Sequence, residues 1–189
     1  MNPKVQRKIE HLENIERFPA EELFEFIQLN KEDELLDLGA GTGYISFAFA
    51  KYVKNVVAFD YDEDILKYLE VKAKEKGITN IETTAANFKE MPLANERFEK
   101  AVASISLHEV QPLSIVLNEI HRVLKDKGIF LCIELEKSEV PTVPTGPRVS
   151  SNEMKEEIIK AGFSVIDTIH SPTQVANQPV YIIIAQKNK

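Results

Sequence analysis

Glu34-Leu-Leu-Asp-Leu-Gly-Ala-Gly-Thr-Gly43 is the stretch on which the reading of this chain turns. An apolar run carrying one carboxylate, Asp37, breaks into alternating glycines at 39, 41 and 43, and the amphipathic segment Tyr44-Ile-Ser-Phe-Ala-Phe-Ala-Lys-Tyr-Val53 follows at once. This order predicts a buried strand, a glycine turn and a helix, the opening of an α/β nucleotide-binding unit. Glycine lets the turn take positive φ and lets a ligand reach bare backbone. The helix N-terminus behind it is expected to offer unpaired N–H groups to an anionic ligand group. An adenosine-bearing ligand is therefore expected. The spacing narrows the choice. A dinucleotide fingerprint needs glycine at position 44, where this chain has tyrosine. A phosphate loop needs a Gly-Lys pair, which occurs nowhere in the sequence.

Asn55-Val-Val-Ala-Phe-Asp60 is a second apolar run ending in a carboxylate. It lies roughly 20 residues beyond the glycines, which in a doubly wound sheet sets the acid beside a bound ribose. Asp60 could alternatively cap the helix predicted over Glu63 to Lys76, but Asp62 is better placed for that role. Nicotinamide enzymes share such an acid, so Asp60 alone does not choose between ligands. Asp37 stands in an otherwise apolar strand, where an ionised carboxylate is costly without compensation. A ligand ammonium or the turn's own amides are its expected partners, the second being a purely structural role.

With 189 residues and 43% hydrophobic content, the chain is expected to form one domain, with residues 1–30 as helices covering the site. The net charge of −7 and the absence of a basic patch argue against a nucleic-acid groove. The single cysteine, Cys132, excludes a disulfide framework and a clustered thiolate metal site, and it reads as a small buried hydrophobe. Nothing in the chain approaches the ~18 apolar residues of a spanning helix, and no signal-peptide core follows the N-terminus. A cytoplasmic protein without a membrane span is the expectation.

Strand and helix patterns alternate along the chain. An amphipathic helix is predicted over residues 4 to 17, and a second helix starts at Phe18-Pro-Ala-Glu-Glu22 with Pro19 at its first position. Strands follow over Ile81 to Ala85 and Phe98 to Ser104, then a helix from near Pro112 to about Lys125, and a fifth strand after Gly128. Ser150-Ser-Asn-Glu153 is a capping box for a helix ending at Gly162. Phe163 to Ile169 and Val180 to Ala185 are two last strands joined by the polar turn Ser171 to Pro179, too short for a crossover helix, so they should pair antiparallel. The expected fold is α/β and Rossmann-like: a doubly wound, mostly parallel seven-stranded sheet with a C-terminal antiparallel hairpin.

Gly39-Ala-Gly-Thr-Gly43 after Leu-Asp-Leu resembles motif I of the class I S-adenosylmethionine-dependent methyltransferases. Ala85-Ala-Asn-Phe-Lys-Glu-Met-Pro-Leu93 followed by Asn95 to Val102 looks like that family's adenine segment and its next strand. Leu124-Lys-Asp-Lys-Gly128 is similar to the turn before strand five in the methyltransferase type 11 group, the relatives of ubiquinone and menaquinone biosynthesis methyltransferases. Where the family carries aspartate, this chain has Asn87, whose carbonyl still accepts one hydrogen bond, and Glu99. Asn87 also reads as an ordinary turn residue. The resemblance implies S-adenosylmethionine as cofactor and S-adenosylhomocysteine as product. It implies contacts from Asp37, Gly39, Ala40, Gly41, Gly43, Asp60, Tyr61, Asn87, Phe88 and Ser104, and it names no acceptor.

Ser104-Ile-Ser-Leu-His-Glu-Val110 follows the fourth strand. His108 and Glu109 should emerge at its carboxyl end, where open α/β sheets bind ligands. They are the candidate catalytic residues: a histidine to remove an acceptor proton, with Glu109 orienting the ring or binding a substrate cation. The bland alternative is packing for His108 and a helix start for Glu109. No Asn-Pro-Pro-Tyr tetrapeptide is present, and a lone cysteine disfavours an arsenic acceptor. The segment Glu136 to Val149, with Pro141, Pro144, Gly146 and Pro147, is expected to be a stiff loop over the pocket or a simple surface connection. Small covers suggest a small-molecule acceptor. Two other functions stay open at this point: a non-catalytic binder of S-adenosylmethionine or S-adenosylhomocysteine, and a nicotinamide-dependent oxidoreductase.

Overall fold

Three apolar segments, Leu35-Leu36-Leu38, Val56 to Phe59 and Ala101 to Ala103, are almost wholly withdrawn from water, and they form the middle of one sheet. Each fully buried leucine of this kind contributes about 1.5–3 kcal/mol of burial free energy. The computed structural model describes residues 2–137 and 147–188. Its strands are β1 (Glu34–Leu38), β2 (Asn55–Asp60), β3 (Ile81–Ala85), β4 (Phe98–Ser104), β5 (Leu124–Leu135), β6 (Phe163–Val175) and β7 (Gln178–Lys187). The sheet order is β3-β2-β1-β4-β5-β7-β6. The first five strands run parallel, and β7 pairs antiparallel with both β5 and β6. This is the expected mostly parallel seven-stranded α/β sheet. The chain reverses its direction of winding between β1 and β4, so the carboxyl ends of those neighbours border a crevice where such folds bind ligands.

The helices are α1 (Pro3–Asn14), α2 (Tyr44–Ala50), α3 (Glu63–Glu75), α4 (Leu113–Val123) and α5 (Ser151–Lys160). Asp62 caps α3 through the N–H groups of Asp64 and Ile65, which leaves Asp60 free of that duty. Ser150 and Glu153 form the expected capping box of α5.

Four boundaries differ from expectation. The first helix ends at Asn14 and not at residue 17, because Ile15 is already extended. The second N-terminal helix is only a single 3-10 turn, Glu22–Glu25. Phe18, Ala20, Leu23 and Ile27 of this stretch pack into the core beside Phe49 and Leu131, and so short a segment gains too little from helical hydrogen bonds to hold the longer form. Strand five begins at Leu124, before Gly128, with a register irregularity opposite Phe98 and Lys100. The hairpin is also far longer than expected, because β6 continues to Val175 and β7 starts at Gln178. Pro172 is tolerated since β6 is an edge strand and its ladder is irregular between Ser171 and Gln174. The turn is just Ala176-Asn177, with φ of 50° and 59°, the left-handed geometry of a tight hairpin. The proline-bearing stretch expected as a loop falls largely on residues 138–146, outside the described residues.

Candidate functional site

At the carboxyl ends of β1, β2, β4 and β5 lies a cavity of about 1300 Å³. Asp37, Gly39, Ala40, Gly41, Asp60, Tyr61, Asn87, Phe88, Ser104, His108 and Glu109 all line it. Gly43 does not. It is the N-cap of α2 with φ 96°, and a Cβ there would press within 3.0 Å of Phe47 and Leu69, so its requirement is packing and not ligand contact.

The glycine turn holds its own amides differently from expectation. Gly39 and Ala40 N–H both donate to the Phe59 carbonyl, Gly41 N–H donates to Asp60 Oδ2 at 3.0 Å, and Gly43 N–H donates to the Ala40 carbonyl. None of these four is left for an anionic ligand group. The anion at the start of α2 is instead Asp37, which is 1% exposed and accepts the Ser46 hydroxyl at 2.6 Å, with the Ser46 backbone N–H adding to it. A dinucleotide would need that place for its pyrophosphate. Burial pushes the Asp37 carboxyl up to about 6, opposed by the Ser46 hydrogen bonds. A buried acid held this way is suited to a cationic ligand group close by.

Gly39 marks the closest approach in the site. A Cβ there would sit 2.5 Å from Ser106 Cβ and 2.9 Å from its Oγ, which donates to the Leu38 carbonyl at 3.0 Å. Beyond Gly41 the space is open: a Cβ would meet nothing nearer than Gly39 O at 4.0 Å. Bare backbone thus faces the cavity where a ligand edge can lie. Asp60 accepts from Gly41 N–H on one oxygen and from Asp62 N–H on the other, each at 3.0 Å, and keeps lone pairs for further donors. Phe88 is buried edge-on to Phe59 at 5.3 Å, while Asn87 is exposed and its Oδ1 accepts from Lys89 N–H. Asn87 therefore has the turn role as well as a place on the wall. Tyr61, 62% exposed, accepts from Lys8 Nζ at 3.0 Å, and Lys8 pairs with Asp62 at 2.6 Å, tying α1 to the rim.

On the other side, β4 ends in a sharp redirection. Ile105 has φ 52°, a sterically costly value for a β-branched residue, and such backbone concentrates at functional sites. The turn places Ser106 against Gly39 and sends a 3-10 turn, Leu107–Glu109, into the cavity wall. There His108 is buried and its Nδ1 lies 2.9 Å from Glu134 Oε2. Glu134, 1% exposed at the end of β5, accepts Leu107 N–H at 2.9 Å and His108 N–H at 3.2 Å on its other oxygen. The acid against the ring is therefore Glu134, where Glu109 was expected. Glu109 is mostly exposed, with Oε1 3.9 Å from His108 Nε2, beyond hydrogen-bond reach.

Sequence reasoning missed Ser46, Ser106, Glu134, Arg17 and Arg148. Arg17 lines the cavity with its guanidinium 5.2 Å from the Tyr44 ring centroid, and burial lowers its pKa. Arg148 and the extended hairpin residues Val175, Ala176 and Gln178 complete the outer wall. For Glu134 the signal was available: an acid inside Leu131-Cys-Ile-Glu-Leu135 is as anomalous as Asp37 in its own strand.

A family model described as a methyltransferase domain matches residues 29–184. The chain belongs to the class I S-adenosylmethionine-dependent methyltransferases, a family whose cofactor is S-adenosylmethionine. It is 31% identical over 111 residues to the demethylmenaquinone methyltransferase of Geobacillus stearothermophilus, covering 57% of this chain and 47% of that protein. It is 28% identical over 147 residues to the ubiquinone/menaquinone biosynthesis C-methyltransferase UbiE of Rickettsia felis, covering 74% and 55%. The chain spans about half the length of the curated relatives it matches. Among solved structures, a SAM-dependent methyltransferase from Aquifex aeolicus superposes with a TM-score of 0.81 at 23% identity, covering 95% of this chain and 97% of that one. The [4+2]-cyclase SpnF also reaches 0.81, at 20% identity and 89% and 80% coverage, so the fold by itself does not fix the reaction.

Among the described residues no group of three metal-ligating side chains stands together, and no helix is long and apolar enough to cross a membrane.

Proposed function

We propose that this protein transfers the methyl group of S-adenosylmethionine to a small-molecule acceptor bound in the same cavity, beside His108. The observation that carries the reading is the continuity of the cavity from the Asp60 and Phe88 end, past Gly39, to His108. Its volume of about 1300 Å³ exceeds the usual range for a single small ligand, roughly 300–1,000 Å³, and suits two molecules in contact. In this reading Asp60 takes the ribose hydroxyls, and Phe88 with Asn87 flanks the adenine beside Tyr61. Gly39, Ala40, Gly41 and Ser104 wall the path to the methionine end. There Asp37 faces the ammonium and Arg17 supplies a cation for the carboxylate.

When bound, the cofactor supplies a methyl group already activated by its sulfonium. What remains for the chain is to align the acceptor, keep water out and take up any proton released. Leu12, Ile15 and Leu135 give the acceptor side apolar walls, which supports an uncharged organic acceptor held against them. The quinone-biosynthesis C-methyltransferases among the relatives make a quinone precursor the first acceptor to try.

Incubating the protein with methyl-labelled S-adenosylmethionine and a fractionated metabolite extract tests the reading. Label moving into a small organic product is the expected result. Tight binding of the cofactor with no transfer to any fraction, under conditions where the Aquifex relative transfers label, would instead favour a binding protein.

A further inference from the structure

His108 and Glu134 form a buried pair to which the methyl-transfer reading gives no contact with the cofactor. We propose that Glu134 is a positioning residue: it orients the His108 ring so that the neutral imidazole carries its proton on Nδ1 and presents Nε2 to the cavity. The site is thereby built for acceptors that give up a proton as they are methylated, such as a phenolic or enolic hydroxyl or a carbon acid conjugated to one. This inference rests on the methyl-transfer reading.

Both oxygens of Glu134 are engaged. Oε1 is committed to two backbone donors, Leu107 N–H and His108 N–H. Oε2 meets His108 Nδ1 at 2.9 Å. An ionised carboxylate can only accept, so Nδ1 must carry the proton of the neutral ring, and Nε2 is the lone-pair nitrogen. The nearest acid on that side, Glu109, is 3.9 Å away and offers Nε2 no proton in its ionised form. His108 lines the cavity, so the free lone pair is available to a bound acceptor. The reaction then balances simply. The acceptor oxygen or carbon supplies the electron pair of its new bond to the methyl carbon. The methyl–sulfur bond breaks with its pair going to sulfur, leaving a neutral thioether. The acceptor's proton passes to Nε2, and the resulting imidazolium stays paired with Glu134. A thioether or tertiary amine acceptor has no such proton and gains nothing from the pair.

Glu134→Gln separates positioning from presence. Its amide oxygen must face the two backbone N–H groups, which turns the NH₂ towards Nδ1. Nδ1 then becomes an acceptor, the proton moves to Nε2, and the base is lost although no group has left the cavity. The measurement is nitrogen-15 NMR of the labelled imidazoles, with the His108 signal assigned by its absence from His108→Gln. In the wild-type protein at mildly alkaline pH, Nδ1 should be protonated; in Glu134→Gln, Nε2 should be. A wild-type ring protonated on Nε2, a result independent of how the variant folds, would overturn the proposal, as would an unchanged tautomer in a folded variant. S-adenosylhomocysteine affinity, read by calorimetry, should be the same in both proteins. Failure of the wild type to bind that ligand would sink the methyl-transfer reading itself, a different result from a wrong tautomer. In the labelled-cofactor assay, label should appear on oxygen or carbon, about 10²–10⁴-fold more slowly in the variant. Label on a sulfonium sulfur or a quaternary nitrogen, the products of acceptors with no proton to give, would contradict the acceptor class.

Discussion

On the β1–β2 side of the cavity much of the wall comes from one continuous stretch, Asp37 to Gly41, joined by Asp60 and Tyr61 after β2 and by Phe88. On the β4–β5 side they are side chains gathered from across the chain: His108 after β4, held by Glu134 on β5, with Arg148 before α5 and Gln178 on the hairpin. The first half is a cradle whose shape is local, so a few residues in a row specify it. The second is an assembly that exists only when the sheet is folded. A cofactor common to many proteins needs the first kind of site, and an acceptor peculiar to one protein fits the second.

The two halves touch at Gly39 and Ser106, and this contact should give the largest effect. Gly39→Ala adds a Cβ at φ 75° within 2.5 Å of Ser106 Cβ. A left-handed alanine and an overpacked contact together should cost roughly 2–5 kcal/mol of stability in urea unfolding. Adding Ser106→Gly should recover the steric part and leave the backbone part. Additive costs in that double-mutant cycle would show that the halves are not coupled here.

Next comes Asp37. Its carboxyl is pushed up to about 6 by burial, from an ordinary 3.8. A raised acid binds a proton in the folded state that the unfolded chain releases, so its contribution is fully present below about 4 and is lost as pH rises towards about 6. The ligand-free wild type should therefore lose on the order of 3 kcal/mol across that window relative to Asp37→Asn. An amide there can still accept from Ser46 but carries no charge to meet the ligand's ammonium, so the variant should also bind S-adenosylhomocysteine more weakly. Parallel stability profiles together with equal affinity would reduce Asp37 to a structural acceptor.

Asp60→Ala should weaken cofactor binding by about 1.5–3 kcal/mol in calorimetry, the range for hydrogen bonds to a charged group. It also strips Gly41 and Asp62 of their N–H acceptor, so a lowered melting temperature should accompany the loss. Unchanged affinity in the folded variant would place the ribose elsewhere. The smallest effect belongs to Lys8→Ala at the rim. Its pair with Asp62 is partly exposed, so at most about 1 kcal/mol should be lost, and less at high salt.

The same contrast explains what could be read from the sequence. The sheet and the cradle were legible because period and glycine placement are local signals, and β1, β2, β3 and β4 fall where those signals set them. The amides of the turn were misjudged, since that Phe59 O and Asp60 would take them depends on a neighbouring strand. Pro172 hid the length of the hairpin, because only the finished sheet shows that β6 lies on its edge. His108 was found from its place after a strand. Its partner is not legible locally: the sequence points to the adjacent Glu109, and only the folded sheet brings Glu134 to it from a strand 26 residues away.

The proposed chemistry depends on the cradle holding a sulfonium nucleoside and not a dinucleotide, and one calorimetric comparison tests that directly. S-adenosylmethionine and S-adenosylhomocysteine should each bind the wild-type protein with micromolar or tighter affinity, and NAD should give no heat. Binding of NAD with no response to either sulfur ligand would contradict the account at its centre.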